Sequence, residues 1–381
     1  LKDGGAMKIR QQIFEHGRWT TLSDDGVSKP QLVLYFASAE ICRNQSPYQQ
    51  LHRQFPTAHI AGLSTGGEIL SDEVFDDSLA ATIIEMEHSR IATGCLKLTE
   101  NLSSFKAGQD LVRQLPQEGL RLVWLLSDGL NVNGSELIRG CRELLHSEVM
   151  ITGGLAGDGP DFSTTYTGCN AEPVSEQLVA LGFYGDRLQI SASSFGGWDS
   201  FGPQRTVTRS DENVLYELDG QPALELYKHY LGDEAENLPG SGLLFPLSIR
   251  PSLQEESAVV RTILAVDEIN NSLTFAGNIP EGYSAQLMRG NFDRLIEGAA
   301  NAAESLQQRQ GRGLALLVSC IGRKLLMGQR INDEVEAVAD ILGPEIALTG
   351  FYSYGEIAPN GCTGQCELHN QTMTITLLQE E

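Results

Sequence analysis

The chain has 381 residues, 41% of them apolar and 20% charged, and a formal net charge of −23. That length and balance exclude a disordered or fibrous polypeptide and supply enough surface to bury a sizeable core. Because the acidity is spread along the whole chain it repels phosphate backbones and anionic headgroups, so neither nucleic acid nor membrane is an expected partner.

Leu1 to Ala6 read as an added leader, which places the native start at Met7, and "MKIRQQIFEHGRW" lacks the apolar segment of a signal peptide. No apolar run approaches the roughly 18 residues that span a bilayer. Seven cysteines, odd in number and scattered, fit reduced thiols better than a disulfide framework. The expected location is the cytoplasm.

In chain order, three apolar runs without alternation open comparable units: "LVLYFAS" (32–38), "RLVWLLSDG" (121–129) and "LALLVSCIG" (314–322). Such runs suit strands covered on both faces. A helical pattern follows each, over 46–56, 134–146 and 332–343. In the last, Asn332 is the expected N-cap, Val335, Val338, Ala339 and Leu342 form one apolar face, and Gly343 with Pro344 stops the helix.

A second short strand then ends in a repeated glycine-rich phrase: "AGLSTGGEIL" (61–70), "ITGGLAGDG" (151–159) and "ALTGFYSYGEIAP" (347–359). The distances from central-strand serine to phrase glycine, 38 to 62, 127 to 153 and 319 to 350, suit strand, helix, strand crossovers. Hairpins are expected over 78–98, turning at His88-Ser89, over 176–198, turning at Gly185-Asp186, and over 258–277, turning at Asn270-Asn271. A terminal strand covers 371–378. The predicted fold is therefore α/β, internally duplicated strand-helix-strand units with added antiparallel hairpins, in two domains of residues 7–218 and 219–381. Ligands of such sheets settle beyond the strand carboxyl ends, where glycines expose backbone N–H groups; the alternative is that these glycines only make tight turns.

Few motifs carry chemistry by themselves. "GLSTGG" and "GGLAGDG" lack the lysine and long helix of a phosphate loop. Cys362, Cys366 and His369 have zinc-like spacing but no fourth ligand nearby. Cys320, at a strand end before Arg323, is a candidate activated thiol with no assignable base. His52, His88 and His146 suit solvated or helix-end positions. His229, in "PALELYKHYLG" with Tyr227 and Tyr230, sits on an aromatic-rich helix from which an imidazole could meet a flat apolar cofactor such as haem. His369 is the second choice for that role; hydrogen bonding explains either residue as well.

The ordered set "GLSTGGEI", "GGLAGDG", "LYELDGQPALELYKHYLG", "GLLFPL", "SCIGRKLLMGQRINDEVEA", "GFYSYGEIAP" and "LHNQTMTIT" resembles the FIST-domain sensory proteins, over nearly all of 30–378. The resemblance implies an N-terminal and a C-terminal FIST region and ligand sensing rather than catalysis. Similarity to stand-alone nitric-oxide sensing members implies haem b, with His229 the inferred iron ligand and Tyr227 and Tyr230 beside it. It further implies a histidine kinase as partner, with output to biofilm and cyclic-di-GMP control. The other expectation is an amino-acid-like ligand held without haem by Arg323, Tyr352, Tyr354, Glu356 and Asn370, Arg323 taking a carboxylate and Glu356 an amino group. Against it stands a structural Arg–Glu pair tying two strand ends. Homo-oligomerisation stays open.

Overall fold

The computed structural model describes residues 7–251, 258–307, 311–361 and 364–381. Each apolar run forms a central strand, Leu32–Ser38, Leu120–Ser127 and Gly313–Cys320, buried over almost its whole length. A helix follows each, Pro47–Gln54, Gly134–Leu144 and Asn332–Leu342, and a parallel partner strand comes next, His59–Thr65, Met150–Leu155 and Ile346–Ser353. The α/β class and the repeated strand-helix-strand units are thus as expected. Asn133 caps the second helix by accepting the Glu136 N–H, and Gly343, at φ +78, ends the third. Asn332 is not the cap of that helix: it lies inside the first turn, and its side-chain oxygen accepts the Val74 N–H at 3.1 Å.

Three six-stranded sheets share one pattern. Antiparallel strands Leu79–Met86, Gln177–Tyr184 and Met373–Glu380 flank the central strands, and Met7–Glu15, Arg90–Lys97 and Leu188–Phe195 lie outside them. This corrects two expected hairpins. The arms of 78–98 and of 176–198 do not pair with each other but enter different sheets, so each turn is a passage from one unit to the next. The first turn is held open because the Glu380 carboxylate accepts the N–H groups of Glu87 and His88 at 2.7 and 2.9 Å. Donors that would close a hairpin are therefore bonded to the third unit.

The third unit is interrupted. Between Leu188–Phe195 and the helix Phe292–Glu304, the chain builds a nine-stranded sheet from Trp198–Ser200 to Ser284–Gly290, carrying the helix Ala223–Leu231. Within it the third expected hairpin forms, Ile263–Asp267 against Ser272–Phe275, with Asn271 at φ +51 in the turn.

The repeated phrases interlock the units in a cycle. At the end of its phrase, the first unit sends Glu68–Leu70 to pair with Ile346–Ser353 of the third. The second sends Thr167–Cys169 to His59–Thr65 of the first, and the third sends Gly355–Pro359 to Met150–Leu155 of the second. Three backbone hydrogen bonds close the cycle at its centre: Gly66 N–H to Tyr352 O at 2.8 Å, Gly157 N–H to Ser64 O at 2.9 Å, and Tyr354 N–H to Leu155 O at 3.3 Å. Beside it, side chains from all three sheets form one core, with Phe36 stacked obliquely on Phe351 at 4.9 Å and edge-on to Trp124 at 6.1 Å.

The glycine shared by the phrases has a steric cause. A Cβ at Gly62, Gly153 or Gly350 would lie 2.1, 2.0 or 1.9 Å from the carbonyl oxygen of Tyr35, Leu125 or Leu317 on the paired central strand. Only a hydrogen fits. We expect Gly350→Val to lower unfolding free energy by about 3 kcal/mol or more in chemical denaturation. Gly240→Ala, where a Cβ meets nothing within 4 Å, should change it by less than about 0.5 kcal/mol. Equal effects at the two positions would remove the steric account.

Candidate functional site

The five residues expected to hold an amino-acid-like ligand are all buried, with Arg323, Tyr352, Glu356 and Asn370 at 0% exposure and Tyr354 at 1%. They fall into three networks. Arg323 meets Glu334, Nε at 2.9 Å and Nη2 at 2.6 Å, and its Nη2 also donates to Leu295 O at 2.7 Å. The second Glu334 oxygen accepts the Ser319 and Tyr352 hydroxyls at 3.0 and 2.8 Å. An Arg–Glu pair is thus present, but with Glu334, joining helix Ile321–Met327 to helix Asn332–Leu342. Tyr354 donates to Asp158 and stacks on Phe162 at 4.5 Å, while Asn370 bridges Thr262 N–H and Tyr354 O.

Glu356 stands apart, accepting Ser353 Oγ at 2.7 Å and the Thr372 N–H and hydroxyl at 3.1 and 3.0 Å. Glu68 occupies the same place in the first unit, accepting Thr65 Oγ1 at 2.5 Å and Ser78 Oγ at 2.7 Å. The repeated glutamate therefore clasps the crossing strand to the start of its own unit's last strand. The glycine corners do not expose N–H donors for a ligand either, since those of Gly66 and Gly157 are bonded to neighbouring units.

His229 is exposed, its ring edge-on to Tyr230 at 5.9 Å. Tyr227 is buried and donates to Phe245 O, and the Tyr230 hydroxyl accepts from Arg205 at 2.6 Å. The crevice lined by Tyr227 and Tyr230 holds about 20 Å³ and is not lined by His229. These residues do not fit a porphyrin, which needs an apolar slot on the imidazole's side. His369 is buried, its Nε2 3.1 Å from Ala358 O, and burial pulls its pKa down to about 4, so the ring is neutral. Cys362 lies outside the described residues, and among the described residues no three His, Cys, Asp or Glu side chains are grouped to hold a metal. Cys320 is buried, and burial pushes its thiol up, away from the activated state its place before Arg323 suggested.

The structure brings forward a residue that sequence reasoning missed. A cleft of about 720 Å³ lies between the helix Gly134–Leu144, residues 147–151 and the strands that meet at Pro359 and Cys366–His369, and Arg261 lines it. Arg261 is only 6% exposed. Its Nε donates to Asn278 O at 3.1 Å and its Nη1 to Leu368 O at 2.8 Å, fixing the guanidinium plane. Among the described residues no carboxylate stands within ion-pair distance and Nη2 has no protein acceptor. Burial pulls its pKa to about 10, so it stays cationic at neutral pH.

Other charges in the cleft are already engaged. Arg142 donates to His146 O, Ser147 O and Val149 O beyond the end of its helix, and Arg139 pairs with Glu136. Glu143, Glu148 and Glu367 supply negative charge, and Ile138, Val149 and Ile151 apolar wall. A fixed buried cation beside carboxylates is chemically able to take a ligand that bears a carboxylate and an amine. The available signal was a lone Arg inside the apolar run "AVVRTILAV". A second cleft of about 500 Å³, beside Phe162, has polar walls of neutral amides and hydroxyls, and its Asn133 and Asn213 are already bonded to Asn278 Oδ1 and Phe275 O.

Fold and cleft define an α/β protein of repeated units with an open cleft where elements of different units meet. The chain belongs to the FIST family: the FIST N domain matches residues 31–221 and the FIST C domain 223–359, and these are sensor domains of signal transduction. It is similar to an uncharacterized protein of Methanocaldococcus jannaschii, 21% identical over 339 residues, covering 82% of this chain and 64% of that protein's length. Among solved structures it is similar to the cyanuric acid hydrolase from A. caulinodans, with TM-score 0.35, 8% identity and coverage of 93% of this chain and 90% of that one. No helix among the described residues is long and apolar enough to cross a membrane.

The buried glutamates give a pH signature. Burial raises Glu68 to about 7 and Glu356 to about 8, against the lowering effect of their hydroxyl donors. The unfolded carboxyls titrate near about 4.3, so between that value and the folded ones the native state binds more protons. Stability is then full below the unfolded range and falls as pH rises through 7 to 8. Melting scans should show a lower Tm above pH 8 than at pH 6, with the difference reduced in Glu356→Gln; an unchanged slope in that variant would contradict the assignment.

Proposed function

We propose that this protein senses a small zwitterionic metabolite of the amino-acid type, binding it unchanged in the Arg261 cleft and passing occupancy to a partner protein by contact. The single observation that supports this reading most is Arg261 itself. A buried guanidinium without a carboxylate partner is costly unless a ligand completes it. A ligand carboxylate would take Nη2, which meets no acceptor among the described residues, and Glu367, whose charge acts on Arg261, would face the ammonium. Membership in a sensor family supports binding without turnover.

Occupancy would stiffen the contact between the helix Gly134–Leu144 and the strand Cys366–His369, which come from different units. That gives a ligand differential affinity for one arrangement, the requirement for signalling. A histidine kinase is the partner that the family resemblance implies. Detection of nitric oxide through haem b at His229 is a further form of sensing that rests on that resemblance, and the exposed position of His229 gives it no added support.

Calorimetry against a panel of amino acids and their carboxylate analogues tests the reading. At least one should bind, and Arg261→Lys, which keeps charge but loses the fork, should weaken it about tenfold or more. Failure of the whole panel, or equal affinity in the variant, would overturn the site. A Soret band that survives desalting after haem addition and is lost in His229→Ala would favour the haem form instead.

A further inference from the structure

The second cleft, of about 500 Å³, occupies the place that parallel α/β sheets favour for a ligand. One side of it is residues 130–133, which follow the carboxyl end of the central strand Leu120–Ser127, with Phe162 and Ser163, which follow its parallel partner Met150–Leu155. The inserted sheet supplies the other side through Asn213, Leu264, Ala265 and Thr274. The cleft thus lies between two parts of the chain, as small-molecule sites commonly do.

Both loops on the first side are fixed by carboxylates that do not line the cleft. Asp128, 1% exposed, accepts the N–H groups of Leu130 and Asn131 at 3.0 and 2.6 Å through one oxygen, and the Thr165 hydroxyl and Glu176 N–H at 3.0 and 3.1 Å through the other. Asp158 accepts the N–H groups of Ser163 and Thr164 at 2.8 Å each, and the Tyr354 hydroxyl. Among the described residues no charged side chain lines the cleft. A charged ligand would shed water there without meeting a counter-ion, so the site favours a neutral one.

The polar groups that line it are only partly used. The side-chain nitrogens of Asn131, Asn133 and Asn213 donate to Asp128, Asn278 and Phe275 O, but the side-chain oxygens of Asn131 and Asn213 and the Thr274 hydroxyl meet no partner among the described residues. Hydroxyl groups, which donate and accept, complement such a set. Phe162 adds an aromatic ring, held at φ +48, a conformation that side chains rarely adopt and that recurs at ligand clamps. Its N–H donates to the Tyr354 hydroxyl at 3.4 Å and its ring stacks on Tyr354 at 4.5 Å. The negative face of an aromatic ring attracts the C–H face of a sugar ring.

We propose that this cleft binds a neutral polyhydroxylated ring of monosaccharide or cyclitol size. Phe162 is the platform for its C–H face, and Asn131, Asn213 and Thr274 are the partners of its hydroxyl groups. The site is separate from the Arg261 cleft, with which it shares no lining residue.

The test uses the whole chain in saturation-transfer NMR and calorimetry with glucose, galactose, mannose, ribose and myo-inositol. At least one should bind, with transfer strongest to its ring C–H protons. Thr274→Val keeps the shape of a side chain whose hydroxyl has no partner, so it should fold normally and weaken binding about threefold or more. Phe162→Gly removes the ring at a backbone position that glycine adopts freely and should weaken binding about tenfold. Arg261→Lys, in the other cleft, should leave it unchanged. Failure of all five to bind, unchanged binding in both Thr274→Val and Phe162→Gly, or loss of binding in Arg261→Lys would overturn the proposal.

Discussion

Three backbone hydrogen bonds, Gly66 to Tyr352, Gly157 to Ser64 and Tyr354 to Leu155, set what the rest of the molecule can do. Each joins the phrase of one unit to the phrase of another, so none is satisfied within a single unit. Burial makes them obligatory, because an unpaired peptide group at that depth costs about 1–3 kcal/mol. The crossing strands follow from the same constraint: once a phrase is bonded to its neighbour, its continuation already lies along that neighbour's sheet.

That arrangement also decides where a ligand is able to bind. The glycine corners are closely packed: a Cβ on Gly66 would lie 2.4 Å from the Ile321 side chain, and one on Gly154 2.6 Å from Val318 and 3.0 Å from Phe351. Space opens instead where a crossing strand reaches the far side of its host sheet. The strand Gly355–Pro359, delivered by the third unit to the second, carries the strand Cys366–His369 with it, and the cleft forms between that pair and the second unit's helix. Arg261 arrives from the inserted sheet. Each wall thus has a different origin in the chain.

Much of the scaffold was legible in sequence because its signals are local. Unbroken apolar runs marked the three central strands, and Gly343 marked the end of a helix. Pairing is not local, and that is where reading failed. Residues 78–98 look like a hairpin from periodicity alone, since nothing in them reveals that Glu380 takes the turn's N–H groups. Likewise Arg323 and Glu356 each invited a ligand role; the carboxylate that engages Arg323 is Glu334, eleven residues on in the chain and visible only as one of several acidic residues on a helix. Arg261 gives little signal in sequence because a single charge in an apolar strand has no pattern, and its lack of a carboxylate partner among the described residues is a property of three dimensions.

The central claim is that the phrases are the structural lock of the molecule and its ligand sits elsewhere. Native-state hydrogen exchange at the amides of Gly66, Gly157 and Tyr354 tests it most directly, since amides freed only by global unfolding exchange together and last. The account predicts that all three exchange at one common free energy equal to that of global unfolding. Exchange of any one of them through a local opening, well ahead of the other two, would contradict it.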